Sequence, residues 1–504
     1  MSIQGNRKFK LITSVLCITC LSATVLAACA SKDTTPAATG NGQAGEAAQK
    51  PLELSVMVIQ QAAEPPKADN PAILKIQEYT NTKLDFTFVP AAAYDDKVSA
   101  TLASGKMPDV ILMRRNKDSA MLNAQLSGAF WDLTPFLGDT KNISKMSEAA
   151  QKNAKVDGKL YGIPRERTLA RYGMIFRKDW LDNLGLQVPK TTEDIYNIAK
   201  AFTLNDPDKN GKNDTFGIQE DASMELLKQL TIYSGGPNAW GLKDGKVTPD
   251  FMFPEFKPAL DLYKKMVSEK IISPDFPIAK KYDYFNQGKA GMYFSVIDDG
   301  GTRHNDLPKL DPKAVVDVAQ NFDGPKGQHV RGTFGYDSLI AIPKQSVKSE
   351  DKVKQIIAFL DKLADKPMQD VFAWGIEGVD YTVENGLAKK KDGALLAADA
   401  WNLRWDGGTS DIKGSIKPVE DKIQKLFADN KKLAVVDLSA SLISETNTQK
   451  GADLKKAITD AQTKYVLGEL DEKGWSDAVD KWQKNGGDKI IEEFTAYYNK
   501  NAAK

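Results

Sequence analysis

The sequence predicts an α/β fold divided into two lobes, and three observations carry that expectation. Short apolar runs alternate with helix-like segments early in the chain, the order that builds a parallel sheet covered by helices. Longer amphipathic helices follow late. Beyond its first fifty residues the chain keeps roughly 450, more than a single hydrophobic core organises.

Leu84, Phe86 and Phe88 alternate with Asp85 and Thr87, the period-two pattern of a strand. Leu54 to Ile59 and Val110 to Met113 are apolar runs bounded by polar or turn residues, as buried strands are. Between them Pro71–Tyr79 and Tyr94–Ser104 are expected to be helical. Later, Ser349 stands before Glu350 and Asp351, with Val353, Ile356, Ile357, Leu360 and Leu363 on one helical face. Its hydroxyl caps free N–H groups, and the acids suit the positive helix end. Ile490, Ile491, Phe494, Tyr497 and Tyr498 mark a similar helix near the C-terminus. No internal repeat is visible.

The front end addresses the chain outward. Arg7, Lys8 and Lys10 precede an apolar stretch from Leu11 to Ala28, the layout of a secretory signal peptide over residues 1–28. It ends at Leu26-Ala27-Ala28-Cys29, which resembles a bacterial lipobox, so Cys29 is expected to carry a diacylglycerol. Two acyl chains anchor stably where one does not. The Ala-, Gly- and Thr-rich stretch 29–50 reads as a flexible tether spanning about 25 Å. The expected location is the extracellular face of the cell membrane.

With Cys17 and Cys20 inside the leader and Cys29 lipidated, the mature body holds no disulfide, and its stability comes from core size. Formal net charge is +1, and loss of Arg7, Lys8 and Lys10 takes it to −2. Such a balance does not point to a nucleic-acid partner.

Asp206-Pro207-Asp208-Lys209-Asn210-Gly211-Lys212-Asn213-Asp214 is the sharpest local motif. Oxygen side chains fall at positions 1, 3, 5 and 9, Gly at 6, and Lys212 at 7 offers its carbonyl, as in an EF-hand calcium loop. Asp206, Asp208, Asn210, Lys212 and Asp214 are therefore expected to hold structural calcium. Position 12 is Gly217 instead of Glu, so Thr215, Glu220 or water must complete the shell. An Asx-rich surface turn without metal is the alternative.

Gly105-Lys106-Met107-Pro108-Asp109-Val110, Gly158-Lys159-Leu160-Tyr161-Gly162-Ile163-Pro164, Arg177-Lys178-Asp179-Trp180-Leu181-Asp182-Asn183-Leu184-Gly185-Leu186 with Pro189-Lys190-Thr191, Gly288-Lys289-Ala290-Gly291-Met292, Gly375-Ile376-Glu377-Gly378 and Lys464-Tyr465-Val466-Leu467-Gly468, taken in this order, resemble the extracellular solute-binding proteins of carbohydrate ABC importers. Within them the set is similar to the LplA-like lipoprotein branch that includes alginate-binding proteins. The resemblance implies a two-lobed, type II periplasmic-binding-protein-like fold with the ligand in the cleft. One lobe would comprise 51–165 and 335–395, the other 166–334 and 396–504. Crossings would fall near Tyr161–Arg171, Phe334–Pro343 and Tyr381–Trp401. The implied partners are an oligosaccharide, a permease and its ATPase, and the protein itself is expected to be a monomer.

A sugar pocket needs flat aromatic faces for ring C–H groups and planar polar groups for hydroxyls. Trp240, Trp374, Trp401 and Trp405 are the candidate platforms, each weighed against core packing. Arg165, Glu166, Arg167 and Arg171 follow the first crossing, where guanidinium groups suit an acidic or highly hydroxylated saccharide. Tyr336 and Asp337 join them from the return crossing, and Asp109, at the end of a strand, is expected at the first lobe's edge.

Two rivals stay open. An extracellular polysaccharide-active hydrolase or lyase needs only a carboxylate pair, which can stand anywhere among the acids. Against it, His304 and His329 lack zinc spacing and no G-x-S-x-G elbow is present. A peptide or sensory receptor can share the fold with a different ligand.

Overall fold

A computed structural model describes residues 50–502, apart from 62–63, 305, 392–399, 407, 409 and 415–416. The leader, Cys29 and nearly all of the tether lie outside the described residues. The expected early alternation is present: β1 (Leu52–Gln60), the helix Pro71–Thr80, β2 (Thr82–Pro90), the helix Tyr94–Ser104 and β3 (Val110–Arg114). Local chemistry sets the boundaries. Asn70 caps the first helix through the N–H groups of Ala72 and Ile73, with Pro71 at its first position. Gly105 ends the second at φ +73°, a conformation that a β-carbon disfavours.

β1 runs parallel to β2 and β3, and the strand Tyr336–Ala341 returns antiparallel beside β3 and β4 (Ile163–Glu166). The five form one sheet in the order β2, β1, β3, Tyr336–Ala341, β4. A second sheet orders Val316–Ala319, β5 (Tyr172–Arg177), Ala290–Val296 and β6 (Phe216–Gln219). Each sheet has its own apolar core. The first draws on residues from Leu54 to Ile163 and Tyr336 to Phe372, the second on Met174 to Phe322 and Leu442 to Phe494. Two large cores, with smaller clusters around Ile175 and Trp374 beside them, are what surface-to-volume scaling requires of a chain of this size.

Helices close the outer surfaces. In Glu350–Lys362 Ser349 accepts from Lys352 N–H, and Val353, Ile356, Ile357 and Leu360 are buried, as the spacing predicts. The C-terminal helix Asp488–Ala502 buries Ile490, Ile491 and Phe494. Among the described residues no helix is long and apolar enough to cross a membrane.

Leu403 and Trp405 pack in the first lobe's core instead of opening the second lobe. The Trp405 indole N–H reaches Leu360 O at 2.8 Å and Asn402 reaches Ile59 O at 2.8 Å. Gly414 lies against Trp374. Farther on, the helix Pro418–Asn430 buries its Ile423 with Ile175 and Val318 of the second sheet. A large indole needs an existing core and a hydrogen-bond acceptor, and the first lobe supplies both.

Candidate functional site

In the parallel part of the first sheet, the carboxyl ends of β1, β3 and β4 point the same way, and Tyr336–Ala341 begins there. In the second sheet the carboxyl ends of β6 and Ala290–Val296 lie where β5 begins. Only 167–171 separate β4 from β5, so these two ends face a common cleft, the place where open α/β sheets bind ligands. Three strands of chain knit its floor. Arg167 N–H donates to Gly335 O (2.8 Å), Thr333 N–H to Leu169 O (2.9 Å) and Gly332 N–H to Val435 O (2.9 Å). Asn238 locks the last pair, donating to Gly332 O and Val435 O at 2.9 Å each.

Side chains on this floor are paired ions. Arg171 grips Asp298 with two hydrogen bonds of 3.0 and 2.5 Å. Arg167 pairs with Asp337 and donates to Glu166 O at 2.7 Å. Arg165 lies beneath, fully buried, donating to Arg404 O (3.1 Å), Ser338 Oγ (3.3 Å) and Asp337 Oδ1 (3.4 Å). Burial pulls its pKa down to about 10 despite Asp337. Asp337, 40% exposed, is the shared and water-facing member of this set.

The two cleft edges differ in charge. Beyond β3, Asn116 donates to Ala154 O (3.2 Å) and Lys117 to Lys155 O (2.5 Å). The Tyr336 hydroxyl donates to Asn116 Oδ1 at 2.9 Å, and Asn153 holds Phe334 O at 2.9 Å. Phe334 itself is 43% exposed on the return crossing. On the opposite edge stand Glu220, Asp221 and Glu225, where Glu225 accepts from Arg331 (3.1 Å), whose guanidinium covers the Tyr172 ring at 4.1 Å. Glu220 accepts from Leu226 N–H and from the Tyr263 hydroxyl, both at 3.2 Å. Burial raises its pKa to about 8, and likewise lifts Asp250 to about 7 and Asp437 to about 6.

Of the residues singled out from sequence, Arg167, Arg171 and Asp337 reach the floor with side-chain area open to water. Arg165, Glu166 and Tyr336 underpin it. Glu166 accepts from Ser147 N–H at 2.5 Å, before the helix Glu148–Ala154, and Tyr336 is buried. The described tryptophan rings pack instead of standing free. Trp405 is 2% exposed in the first core. Trp240 meets Phe494 edge-on at 5.0 Å and Trp482 at 6.3 Å. Trp374 packs on Tyr381 at 5.9 Å beneath the Lys390 ammonium. The Trp401 side chain lies outside the described residues. Asp109 stands at the opposite end from the cleft. It precedes β3, accepting from Ser55 N–H (3.0 Å) and Lys352 (2.6 Å). Sequence reading missed Lys117, Phe334, Asp298 and Glu225. The signal for Lys117 was its place just past the carboxyl end of a recognised strand.

In the loop 206–214 the expected oxygen donors converge. Asp206 accepts from the N–H groups of Asn210 and Gly211 at 3.0 Å each. The Asn210 amide reaches Asp208 (2.8 Å) and Asp214 (3.1 Å). Burial and the neighbouring Asp206 and Asp214 push the Asp208 carboxyl up. Among the described residues no three His, Cys, Asp or Glu side chains stand close enough to hold a metal ion outright. Two expected ligands are engaged elsewhere: Thr215 donates to Phe202 O at 2.7 Å, and Glu220 is buried as above. A β-carbon at Gly217 would fall 2.1 Å from Ala199 O, so that position takes no larger residue. The donor chemistry fits a hard cation completed by water.

Two α/β lobes bridged by adjacent crossings, with polar side chains converging in the cleft, define a solute-binding receptor. The chain belongs to the bacterial extracellular solute-binding proteins, whose family model matches residues 60–370. It is similar to the polygalacturonan/rhamnogalacturonan-binding protein YtcQ of Bacillus subtilis (strain 168), 37% identical over 93% of this chain and 95% of that one. It is likewise similar to lipoprotein LipO of the same organism, 35% identical over 95% and 97%. Among solved structures, the alginate-binding protein AlgQ2 without calcium ion matches with a TM-score of 0.66 at 18% identity, over 89% of this chain and 98% of that one. The Streptococcus pneumoniae substrate-binding protein FusA in complex with kestose matches with a TM-score of 0.64 at 18% identity, over 90% and 99%. At such identities these two speak for the fold alone.

Proposed function

We propose that this chain captures an oligosaccharide outside the membrane and delivers it unchanged to an ABC permease and its ATPase. The observation that carries the reading is the floor of paired guanidinium groups, Arg167 and Arg171 above the buried Arg165, set between two facing sheet ends. Planar forks of this kind bind carboxylates through two parallel hydrogen bonds and donate single bonds to hydroxyls. YtcQ is named for acidic polysaccharides and the relative FusA for fructooligosaccharides, which supports a saccharide and leaves its kind to measurement. The lobes would comprise 51–165, 335–391 and 400–414 on one side, and 166–334 with 417–504 on the other. Ligand held between them would favour closure only through contacts made in the closed state. Trp401 remains a candidate platform.

Cys29 would carry the lipid that tethers the receptor, as a monomer, to the cell membrane. Asp206, Asp208, Asn210, Asp214 and the Lys212 carbonyl would hold calcium. The ion would neutralise three crowded carboxylates and pin the loop ahead of β6.

The test is thermal unfolding of the purified body against galacturonate oligomers, fructooligosaccharides and a peptide mixture. A true ligand at a hundred times its Kd adds about 2.7 kcal/mol of stability. Stabilisation by peptides alone would favour the peptide receptor. Cleavage products in the saccharide samples would favour the enzyme.

A further inference from the structure

We infer that Lys117 and Phe334 form a carboxylate-reading subsite on the first-lobe edge of the cleft, selecting saccharides that carry a uronate. The inference rests on the proposed capture of an oligosaccharide and names what that cleft discriminates.

Lys117 follows β3 at its carboxyl end, and its side chain is largely sheltered. Its ammonium donates to the carbonyl of Lys155, and among the described residues no carboxylate stands within 4.0 Å of it. The cations beside it are matched: Arg114 grips Asp95 at 3.1 and 2.7 Å, and Arg115 stands 3.8 Å from Asp118. Sheltering an ammonium without a counter-charge is costly, and an arriving carboxylate relieves that cost. Burial accordingly draws its pKa down to about 8.

The position is rigid. Asn116, Ala154, Tyr336, Asn153 and Phe334 O form one hydrogen-bonded chain beside Lys117, the Tyr336 hydroxyl joining Asn116 Oδ1 (2.9 Å) to Asn153 O (3.3 Å). The same chain fixes the Phe334 backbone, and its exposed ring, 6.4 Å from the Tyr336 ring, would offer an apolar face to the C–H side of a pyranose. On the second-lobe edge Glu220 is protonated and Glu225 is matched by Arg331, which leaves Asp221 to disfavour a carboxylate there and direct the ligand's charge toward Lys117. The charged and titratable groups on elements near Lys117 are Arg114, Arg115 and Asp118 in its own turn, Glu148, Lys152, Lys155 and Asp157 on the packed helix and its exit, and, from the second lobe, Asp437 before Leu438–Ser441, Glu445 and Lys450 on the helix Glu445–Val466 whose Thr448 O meets Ser119, and Tyr497 beside Asp157. Glu220, Asp250 and Asp437 titrate in an overlapping range, so the discriminating readout is the difference between variants.

The experiment is calorimetric titration of the mature protein with trigalacturonate and with its carboxyl-reduced neutral counterpart, from pH 6 to 9. Wild type, Lys117→Arg, Lys117→Met and Phe334→Leu are compared, each first checked for a native melting transition. Wild type is expected to prefer the acid by about tenfold or more, the preference fading as pH passes 8. Lys117→Arg keeps the preference without that fade, and Lys117→Met binds both sugars alike. Phe334→Leu weakens both sugars equally. A Lys117→Met protein that still prefers the acid, or a Lys117→Arg profile that follows wild type, overturns the inference. So does capture of neutral oligosaccharides alone, which leaves the proposed function standing; no saccharide binding at all removes both.

Discussion

The arginines on the crossing strands and the lysine past β3 reach the same cleft, yet among the described residues only the arginines have carboxylates built in beside them. Arg171 has Asp298, and Arg165 and Arg167 share Asp337, whereas Lys117 has one backbone oxygen. A paired ion holds its geometry before ligand arrives, and such preorganisation is cheap to bind against. A cation left without a counter-charge waits for one. The floor is therefore a scaffold that hydroxyls and acids dock on, and the edge is the place where charge is sorted.

Replacing Trp405 tests the distinction between support and contact most severely. Trp405→Ala is expected to cost about 3–5 kcal/mol of stability, read from denaturant unfolding, while the surviving folded fraction keeps its sugar preference. Loss of affinity with unchanged stability would make this ring a platform after all.

Glu220 sharpens the contrast from the second lobe. Folded, it stays protonated up to about pH 8, against 4.5 for the unperturbed carboxyl. Its contribution is complete below pH 4.5 and fades as pH rises toward 8. The melting temperature of wild type should fall across that window by several degrees, and Glu220→Gln should flatten the fall. Lys117 acts in the opposite sense above pH 8, since its folded pKa lies below its ordinary 10.5.

Asp337→Ala removes the acceptor shared by two floor arginines. Because this carboxylate is partly exposed, the stability loss is expected near 1 kcal/mol, with a larger loss in affinity seen by calorimetry. A variant binding as tightly as wild type would show that the floor is indifferent to its built-in acid. The smallest effect is expected from chelation. Removing the proposed calcium should lower the melting temperature by about 2–4 °C without moving saccharide affinity, as fits a loop away from the cleft.

Much of the first sheet was legible because its signals are local. The alternation of Leu84, Phe86 and Phe88, and the capping Ser349, act within a few residues. Asp109 shows the limit: the strand was recognised, but which end faces the cleft depends on the other strands. Trp405 shows another, since a Trp-Asn-Leu-Arg-Trp-Asp run reads equally well as sugar platform and as core. Its indole was claimed by Leu360 O, some forty-five residues earlier in the chain.

By itself the sequence determined the secondary elements, the two-core requirement and the oxygen-rich loop, because periodicity, chain length and ligand spacing are properties of neighbours. Only the tertiary structure decided which charges are matched. An ion pair such as Arg171 with Asp298 joins residues 127 apart, and the absence of one at Lys117 among the described residues is visible only when the surrounding chain is in place.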